Sequence, residues 1–468
     1  MSLNQLTIKQ AADGLKKKEF SSVELTQACL DRMSTVESKI NAFVTKTEDA
    51  LEQAKKADKI IASNVNSPLL GIPFAIKDNF CTNGIRTTAS SKVLEDFIPP
   101  YDATVVSKLK NAGVVILGKT NMDAWAHGSS TETSDFGTTK NPWDLERLPG
   151  GSSGGAAASI VADEAVGSIG SETAGSIRQP ASWCGIVGLK PTYGRVSRYG
   201  VIAMASSLDC PGPLAKTVED SALVLNVLAG VDKYDATSSQ NPVEDYSKNL
   251  SNKIDGLKIG VADDYLINSE PEVKELVEEA LKEYEKMGAR IVRVKLFDPK
   301  YAIAVYTILQ RAEVSSNLAR MDGIRFGFSR ERFGEEAKRR IMLGTYVLSA
   351  GYYDAYYSKA QKVRTVIVED FKKAFKEVDV IIGPTAPVPA LKVGASKDSA
   401  MFGEMMDILV EPSAIAGLPG ISVTCGFTKT GLPVGMQIIG PHFSESLILN
   451  VAFQYEQAND WKKEKPKL

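Results

Sequence analysis

The sequence predicts an α/β protein with a mixed, mostly parallel sheet, and two kinds of pattern support this fold class. Short apolar runs bounded by glycine or polar residues, at Pro73–Lys77 and Val114–Gly118, are typical of strands buried on both faces. Farther along, a strand at Leu257–Ala262, an amphipathic helix at Pro271–Met287 and a strand at Arg290–Leu296 follow one another. That succession is a βαβ unit, which joins parallel strands.

The remaining elements follow in chain order. Ser21–Glu24 is a capping box that begins a helix continuing to about Val36, because the serine can accept an amide hydrogen while the glutamate reaches back. Val378–Gly383 predicts a further buried strand. Ile421–Cys425 and Gly435–Gly440 flank a Lys-Thr-Gly-Leu-Pro turn, which indicates an antiparallel hairpin. The hairpin is the reason to expect a mixed sheet.

Composition and charge exclude several classes of protein. With 468 residues, of which 43% are apolar, the chain can bury a large core. A net charge of -2 gives no general attraction to phosphate backbones, so we do not expect direct nucleic-acid binding. No apolar stretch reaches the roughly 18 residues that a membrane span requires, so we expect no membrane association.

The cysteines indicate a reducing compartment. They are far apart, odd in number and without Cys-x-x-Cys spacing: Cys29, Cys81, Cys184, Cys210 and Cys425. This pattern fits reduced, buried thiols better than disulfides or a zinc site. We therefore expect a cytoplasmic protein with no metal centre.

Two serines in glycine-rich segments are the strongest candidates for chemistry. Ser152 lies in residues 149–155, and Ser176 lies 24 positions later in residues 172–180. Taken alone, the Gly-Gly-Ser-Ser-Gly-Gly run also fits a flexible linker or a phosphate loop. It lacks, however, the Gly-Lys-Ser/Thr ending of a P-loop.

A serine hydroxyl is a poor nucleophile until a base removes its proton. The chain has only His127 and His442, and neither lies in a motif typical of a Ser-His-Asp triad. Lys77 follows apolar residues that can desolvate its amine and favour the neutral form. Bringing a lysine pKa from about 10.4 to about 7 costs on the order of 4.6 kcal/mol. Taken alone, Lys77 also fits an ordinary lysine at a strand end, paired with Asp78.

Together, Lys77 and the two serine segments resemble the serine-rich signature of the amidase family, whose members hydrolyse or transfer amides. The resemblance implies that Ser176 is the nucleophile that forms an acyl-enzyme, Ser152 the bridging serine and Lys77 the general base. A bridging hydroxyl suits this role because it donates and accepts at once. Ser153 is expected to be a structural or helix N-cap residue.

The resemblance also implies that the oxyanion is stabilised by backbone amides at Thr173, Ala174 and Gly175. The family pattern here is Asp-Thr-Gly-Gly-Ser, whereas this chain has Glu-Thr-Ala-Gly-Ser. If the first glycine of that pattern needs a positive φ, Ala174 costs about 1 kcal/mol.

The family implies one amidase domain over residues 1–468, with a single sheet that helices enclose. Within it we expect a mainly helical segment at 1–65, a serine-rich catalytic core at 66–230, and the substrate pocket in the C-terminal part at 255–468.

Two later segments, Gly188–Arg198 and Leu343–Tyr357, resemble the glutamine-hydrolysing branch of the family, which serves tRNA-dependent amidation. That resemblance implies a pocket in which Arg340 binds the α-carboxylate of glutamine, Asp407 binds its α-ammonium group and Tyr306 contributes to the wall. On spacing alone, Arg340 also fits a solvated basic helix in which Arg339 is interchangeable with it, and Asp407 also fits an ordinary helix charge.

The implied function is glutamine hydrolysis that supplies ammonia to partner subunits. The partners are a B subunit with kinase and transamidase activity and a small C subunit; ATP and Mg²⁺ act in the partner, and this chain holds no cofactor. The acyl-tRNA binds to the partner subunit and not to this chain. The sequence does not distinguish Glu-tRNA(Gln) from Asp-tRNA(Asn) as that substrate. The alternatives are a stand-alone amidase for small or aryl amides, which has the same triad, and a non-catalytic scaffold, which the intact triad disfavours.

Overall fold

The computed structural model describes residues 2–63, 67–325 and 327–468, so the expected boundary between residues 65 and 66 lies outside the described residues. The strands are β1 (Phe43–Lys46), β2 (Pro73–Lys77), β3 (Val115–Thr120), β4 (Gly167–Glu172), β5 (Val187–Lys190), β6 (Cys210–Ala215), β7 (Lys258–Val261), β8 (Arg290–Arg293), β9 (Val380–Pro384), β10 (Gly420–Phe427) and β11 (Pro433–Ile439). Within the described residues these eleven strands form one sheet, in the order β1-β3-β2-β4-β6-β5-β10-β11-β9-β7-β8.

The sheet is mixed, as the hairpin pattern predicts. Parallel pairs do not predominate, however, and this corrects the prediction. Of the ten strand pairs in the described part of the chain, four are parallel and six are antiparallel. The parallel pairs lie on either side, in β3-β2-β4 and β9-β7-β8, and the antiparallel strands β6, β5, β10 and β11 join them.

The helices are α1 (Ile8–Lys17), α2 (Ser22–Ile40), α3 (Ala50–Ala62), α4 (Thr104–Asn111), α5 (Gly154–Val161), α6 (Arg178–Cys184), α7 (Val218–Leu228), α8 (Asp263–Ile267), α9 (Pro271–Lys286), α10 (Lys300–Asn317), α11 (Glu335–Val347), α12 (Lys359–Ala374), α13 (Phe402–Met406), α14 (Glu411–Ile415) and α15 (Glu445–Ala458). A π-helical turn covers Asp354–Ser358. In the described part of the chain, no helix is long and apolar enough to cross a membrane.

The predicted capping box begins α2. The Ser21 hydroxyl accepts the Glu24 amide at 3.1 Å, and the Glu24 carboxylate accepts the Ser21 amide at 2.7 Å. The helix continues to Ile40, beyond the predicted end, and stops at Asn41, whose φ is 57°. A left-handed residue at this position is a common helix ending.

Helices cover both faces of the sheet and form two apolar cores. Along β9, Val380 and Ile382 belong to one core and Ile381 to the other, because successive side chains of a strand point to opposite faces. The first core includes residues of α2 and α15, and the second includes residues of α10 and α12. The single α/β domain enclosed by helices is therefore confirmed.

Strand β2 ends at Lys77 beside β4, which ends at Glu172. The two strands are parallel, with Ile76 opposite Ile169, so their carboxyl ends meet at the same edge of the sheet. Helix α5 begins at this edge, directly after Ser153. A close approach of α5 to the β3 end requires Gly155, because a Cβ there would lie 2.5 Å from the Asn121 carbonyl oxygen.

We expect Gly155→Ala to lower the free energy of unfolding by about 1–3 kcal/mol, because the added methyl group overpacks a site bounded by backbone atoms. Gly383→Ala is the matched control, since its Cβ would lie 3.7 Å from the nearest side chain, that of Tyr265. Chemical denaturation of the two variants measures the difference. Equal stabilities would contradict the close approach of α5.

Candidate active site

Lys77 and Ser152 are in direct contact at the carboxyl edge of the sheet. The Lys77 amine lies 2.8 Å from the Ser152 hydroxyl and donates to the Ser171 carbonyl at 2.9 Å. Both side chains are fully buried. The Ser171 carbonyl lies in β4, so the strand that leads to the Ser176 segment also holds the amine of Lys77.

The glycines around Ser152 let the backbone pass close to other groups. Gly150 has a φ of +84°, a left-handed conformation that favours glycine. The Gly151 amide donates to the Gln179 side-chain oxygen at 2.9 Å, and the Gly151–Ser152 peptide is cis. A Cβ on Gly151 would overlap the Asp123 carboxylate. These contacts fix the loop that presents the Ser152 hydroxyl to Lys77.

Ser153 joins the two serine segments. Its amide donates to the Ser176 carbonyl at 3.2 Å, which brings Ser176 next to the Ser152 loop. Ser153 is the N-cap residue of α5, but its hydroxyl donates to the Ser171 carbonyl at 3.3 Å and makes no hydrogen bond to the helix. Ser153 thus occupies the N-cap position as predicted, and its side chain ties β4 to the loop instead of capping the helix.

The segment that carries Ser176 is closed by a buried ion pair. The Arg178 guanidinium donates to Glu172 Oε1 at 2.6 and 2.8 Å, while Glu172 Oε2 accepts the amides of Ile177 and Arg178 at 3.0 and 2.9 Å. Arg178 also donates to the Ala174 carbonyl at 3.1 Å. Both ends of the segment and its middle are thus held by one pair of charges.

Thr173, Ala174 and Gly175 lie within this closed segment, directly before Ser176. The Thr173 hydroxyl donates to Asp209 at 2.7 Å. Ala174 is not among the described residues with positive φ, and its methyl group packs in an apolar core. The conditional strain at Ala174 is therefore absent, and alanine suits the backbone at this position.

Burial makes Lys77 a candidate base. Desolvation lowers the pKa of Lys77 to about 7, although the carboxylates of Asp123, Asp209 and Glu172 oppose the shift. Asp78 is not the ion-pair partner of Lys77. Its carboxylate faces a different buried lysine, Lys119, at 3.7 Å. A neutral amine next to a hydroxyl can accept its proton.

Neither histidine takes part in this arrangement. Both ring nitrogens of His127 are buried and without a hydrogen-bond partner among the described residues. Burial, together with Arg340 and Arg311, lowers the pKa of His127 well below its usual value. His442 instead contacts the Ala416 carbonyl at 3.0 Å.

Arg340 and Asp407 both lie in the interior, so neither is a solvated surface charge. Arg340 Nε donates to Glu336 at 2.5 Å, and its Nη1 has no partner among the described residues. Arg339, its neighbour, is 39% exposed and is not interchangeable with it. Asp407 Oδ2 accepts the Ser129 hydroxyl at 2.7 Å, and its Oδ1 is buried and unpartnered in the described part of the chain.

Asp407 lies against the nucleophile segment. A Cβ added to Gly175 would overlap the Asp407 Oδ1 atom and contact Val410. Burial raises the pKa of Asp407 well above its usual value, with Glu172 and Glu404 adding to the effect. A cation that binds beside a carboxyl group with a raised pKa stabilises its ionised form.

Tyr306 is also buried, on α10, which packs against α11 and α14. Burial raises the pKa of its phenol, and Arg340, Glu411 and Asp407 all act on it electrostatically. The structure thus brings together the three residues that the resemblance implied for the pocket.

Several buried polar residues of the pocket were missed from the sequence. The Arg311 guanidinium donates to Glu404 at 2.9 Å, and Glu404 also lies 3.7 Å from Arg340. The other missed side chains carry buried, unpartnered polar atoms within the described residues: His127, Gln310 and Glu411. One signal was available, since adjacent Gln310 and Arg311 interrupt an otherwise apolar stretch of α10.

Among the described residues, no group of three or more metal-ligating side chains exists.

Comparison with known proteins places this geometry in a family. The family model described as Amidase matches residues 24–449. The chain belongs to the amidase family. It is 50% identical over 485 aligned positions to the A subunit of glutamyl-tRNA(Gln) amidotransferase of Desulfatibacillum aliphaticivorans, with 100% of both chains covered. It is 54% identical to the protein of the same name from Thermoanaerobacter pseudethanolicus, covering 98% of this chain and 97% of the relative.

A crystal structure of the A subunit of glutamyl-tRNA(Gln) amidotransferase from Thermotoga maritima has the same fold. It is similar to this amidase with a TM-score of 0.83 and 43% identity, over 97% of this chain and 94% of the other.

We expect kcat/KM of this amidase to fall as the pH decreases through about 7, because Lys77 accepts a proton only when neutral and burial lowers its pKa to about 7. Lys77→Met should reduce kcat by about 100-fold to 10,000-fold, the usual contribution of a general base. Lys77→Arg should not restore activity, since a guanidinium stays charged. A pH–rate profile that is flat across neutrality would contradict this role.

Proposed function

We propose that this chain is the glutamine-hydrolysing A subunit of a tRNA-dependent amidotransferase. The observation that carries the proposal is a buried guanidinium and a buried carboxyl group that each keep one atom without a partner among the described residues, Arg340 Nη1 and Asp407 Oδ1. Asp407 lies against Gly175, directly before Ser176. A free amino acid carries one carboxylate and one ammonium group, and these two groups complement them. Full-length similarity to the A subunits of such enzymes supports the same function.

In the proposed mechanism Ser176 attacks the side-chain amide carbon of glutamine. Its proton passes to Ser152, which hands its own proton to neutral Lys77. The carbonyl oxygen becomes an oxyanion, stabilised by backbone amides of Thr173, Ala174 and Gly175. Collapse of the intermediate breaks the C–N bond, and the same relay returns the proton to the leaving ammonia. Water then hydrolyses the acyl-enzyme to glutamate by the reverse path.

Recognition in this proposal depends on charge. The guanidinium of Arg340 binds the α-carboxylate, Asp407 accepts hydrogen bonds from the α-ammonium group, and Tyr306 forms the wall between them. Burial raises the pKa of Asp407, and an ammonium group bound beside it would stabilise the ionised carboxylate.

The released ammonia is proposed to serve a partner B subunit, which uses ATP and Mg²⁺ to amidate Glu-tRNA(Gln) or Asp-tRNA(Asn), with a small C subunit in the complex. An exposed cluster on and after α11 supports a partner surface, because large apolar patches mark interaction sites. Its exposed members are Met342, Leu343, Tyr346, Tyr352, Tyr353 and Tyr356. The five unpaired, buried cysteines support the expectation of a cytoplasmic complex.

Ammonia release from glutamine, asparagine and an aryl amide, measured for the chain alone and with its partner subunits, tests the function. We expect glutamine-selective release that increases with partners and acyl-tRNA. Ser176→Ala should abolish glutamine hydrolysis and glutamine-dependent amidation of tRNA, because the acyl-enzyme cannot form, while amidation from free ammonia persists.

Loss of all three activities in Ser176→Ala would overturn the role of this chain as the ammonia donor. Partner-independent hydrolysis of the aryl amide without preference for glutamine would instead indicate a stand-alone amidase.

We expect Arg340→Lys to raise the KM for glutamine at least about tenfold with a smaller change in kcat, since an ammonium group cannot make a two-point contact with a carboxylate. Arg339→Lys is the matched control on the exposed side of the same helix and should leave KM unchanged. Steady-state kinetics on both variants decide the point. A KM for Arg340→Lys equal to the wild-type value would remove Arg340 from the pocket.

A further inference from the structure

Glu411 is a buried charge in the pocket to which the proposed mechanism gives no role. Of the groups missed from the sequence, Arg311 and Glu404 pair with each other at 2.9 Å. Glu411 differs, because it is fully buried and both of its carboxylate oxygens lack a hydrogen-bond partner among the described residues. Leaving a buried polar group unpaired destabilises the protein. A binding partner that arrives with the substrate would recover that cost.

The backbone holds Glu411 close to Asp407 and the nucleophile segment. Glu411 begins α14, and its amide donates to the Asp407 carbonyl at 2.8 Å. On either side, Arg178 donates to the Val410 carbonyl at 3.0 Å and to the Ser413 hydroxyl at 2.9 Å. The same arginine closes the segment of Ser176, so Glu411 and the nucleophile are positioned by one group.

The two acids share an electrostatic environment that favours a cation. Burial raises the pKa of Glu411 well above its usual value, and Asp407 and Glu404 add to the effect. The arginines that oppose the shift, Arg311 and Arg340, already lie 2.9 and 3.7 Å from Glu404. They are therefore shared with another carboxylate.

The hydrogen-bonding capacity matches an ammonium group. An amino acid ammonium has three N–H donors. Asp407 Oδ1 and the two oxygens of Glu411 provide three buried acceptors without another partner among the described residues. We propose that Glu411 and Asp407 together bind the α-ammonium group of the amino acid substrate, which makes Glu411 a specificity-determining residue. This inference rests on the proposed glutamine hydrolysis.

The test compares glutamine with 4-carbamoylbutanoate, which has the same amide and carboxylate but no ammonium group. It uses the full chain in complex with its partner subunits. For Glu411→Gln we expect the KM for glutamine to rise at least roughly 30-fold, the lower end of the range typical of losing one partner of a buried charge pair. Hydrolysis of 4-carbamoylbutanoate should remain within about twofold of wild type, because that amide offers no group for Glu411 to bind.

Glu164→Gln is the matched control. Glu164 is also a fully buried acid with a raised pKa, but the group that acts most strongly on it is Glu37, a second carboxyl group away from the pocket. This variant should leave the KM for glutamine unchanged. An unchanged KM in Glu411→Gln, or equal losses for both amides, would overturn the inference.

Asp407→Asn provides a second measurement that does not depend on the folding of a Glu411 variant. If Glu411 shares the ammonium group, Asp407→Asn still prefers glutamine to 4-carbamoylbutanoate, although less than wild type. If Asp407 acts alone, that preference disappears and the inference is wrong. A wild-type complex that hydrolyses no glutamine would overturn the proposed function as well, which separates the two failures.

Discussion

The ion pair between Glu172 and Arg178 is the interaction on which the rest of the site depends. It joins the end of β4 to the start of α6 and closes the segment that carries Ser176. Arg178 then extends the same network to Val410 and to Gln437 in β11. Removing one partner of a buried pair costs about 3–5 kcal/mol, because the other charge remains without compensation. The Ser176 segment, the start of α14 and the centre of the sheet are thus held by one network of contacts.

Near this ion pair, burial shifts the pKa values of several ionisable side chains. Desolvation lowers the pKa of Lys77 to about 7, and desolvation also raises the pKa of Asp209 to about 6. Lys119, by contrast, has a carboxylate opposite it at 3.7 Å and a carbonyl acceptor at 2.7 Å. Both buried lysines on these neighbouring strands contact a carbonyl and a hydroxyl, but among the described residues only Lys119 also has a carboxylate within 4 Å.

Local patterns predicted much of this protein, and long-range packing decided the rest. The capping box at Ser21 and the buried strand at Lys77 depend on neighbouring residues, so the sequence was sufficient. The proportion of antiparallel pairs depends on which distant strands meet, and periodicity does not report that. Likewise, Asp78 follows Lys77 directly but faces Lys119 across the strands. Glu411 and His127 become pocket residues only because separate segments of the chain pack together, so their spacing in the sequence does not predict this position.

The carbonyl of Ser171 restricts the orientation of the Lys77 amine. It accepts one N–H of Lys77 and also the hydroxyl of Ser153, so the amine cannot rotate freely. The Lys77 nitrogen lies 2.8 Å from the Ser152 hydroxyl, so the amine held by this carbonyl keeps the contact that the proposed relay uses. The carbonyl is placed by the pairing of β2 with β4, where Ile76 lies opposite Ile169. A slip of one residue would turn that strand over. Strand register, usually considered a matter of stability, here also decides which groups the Lys77 amine contacts.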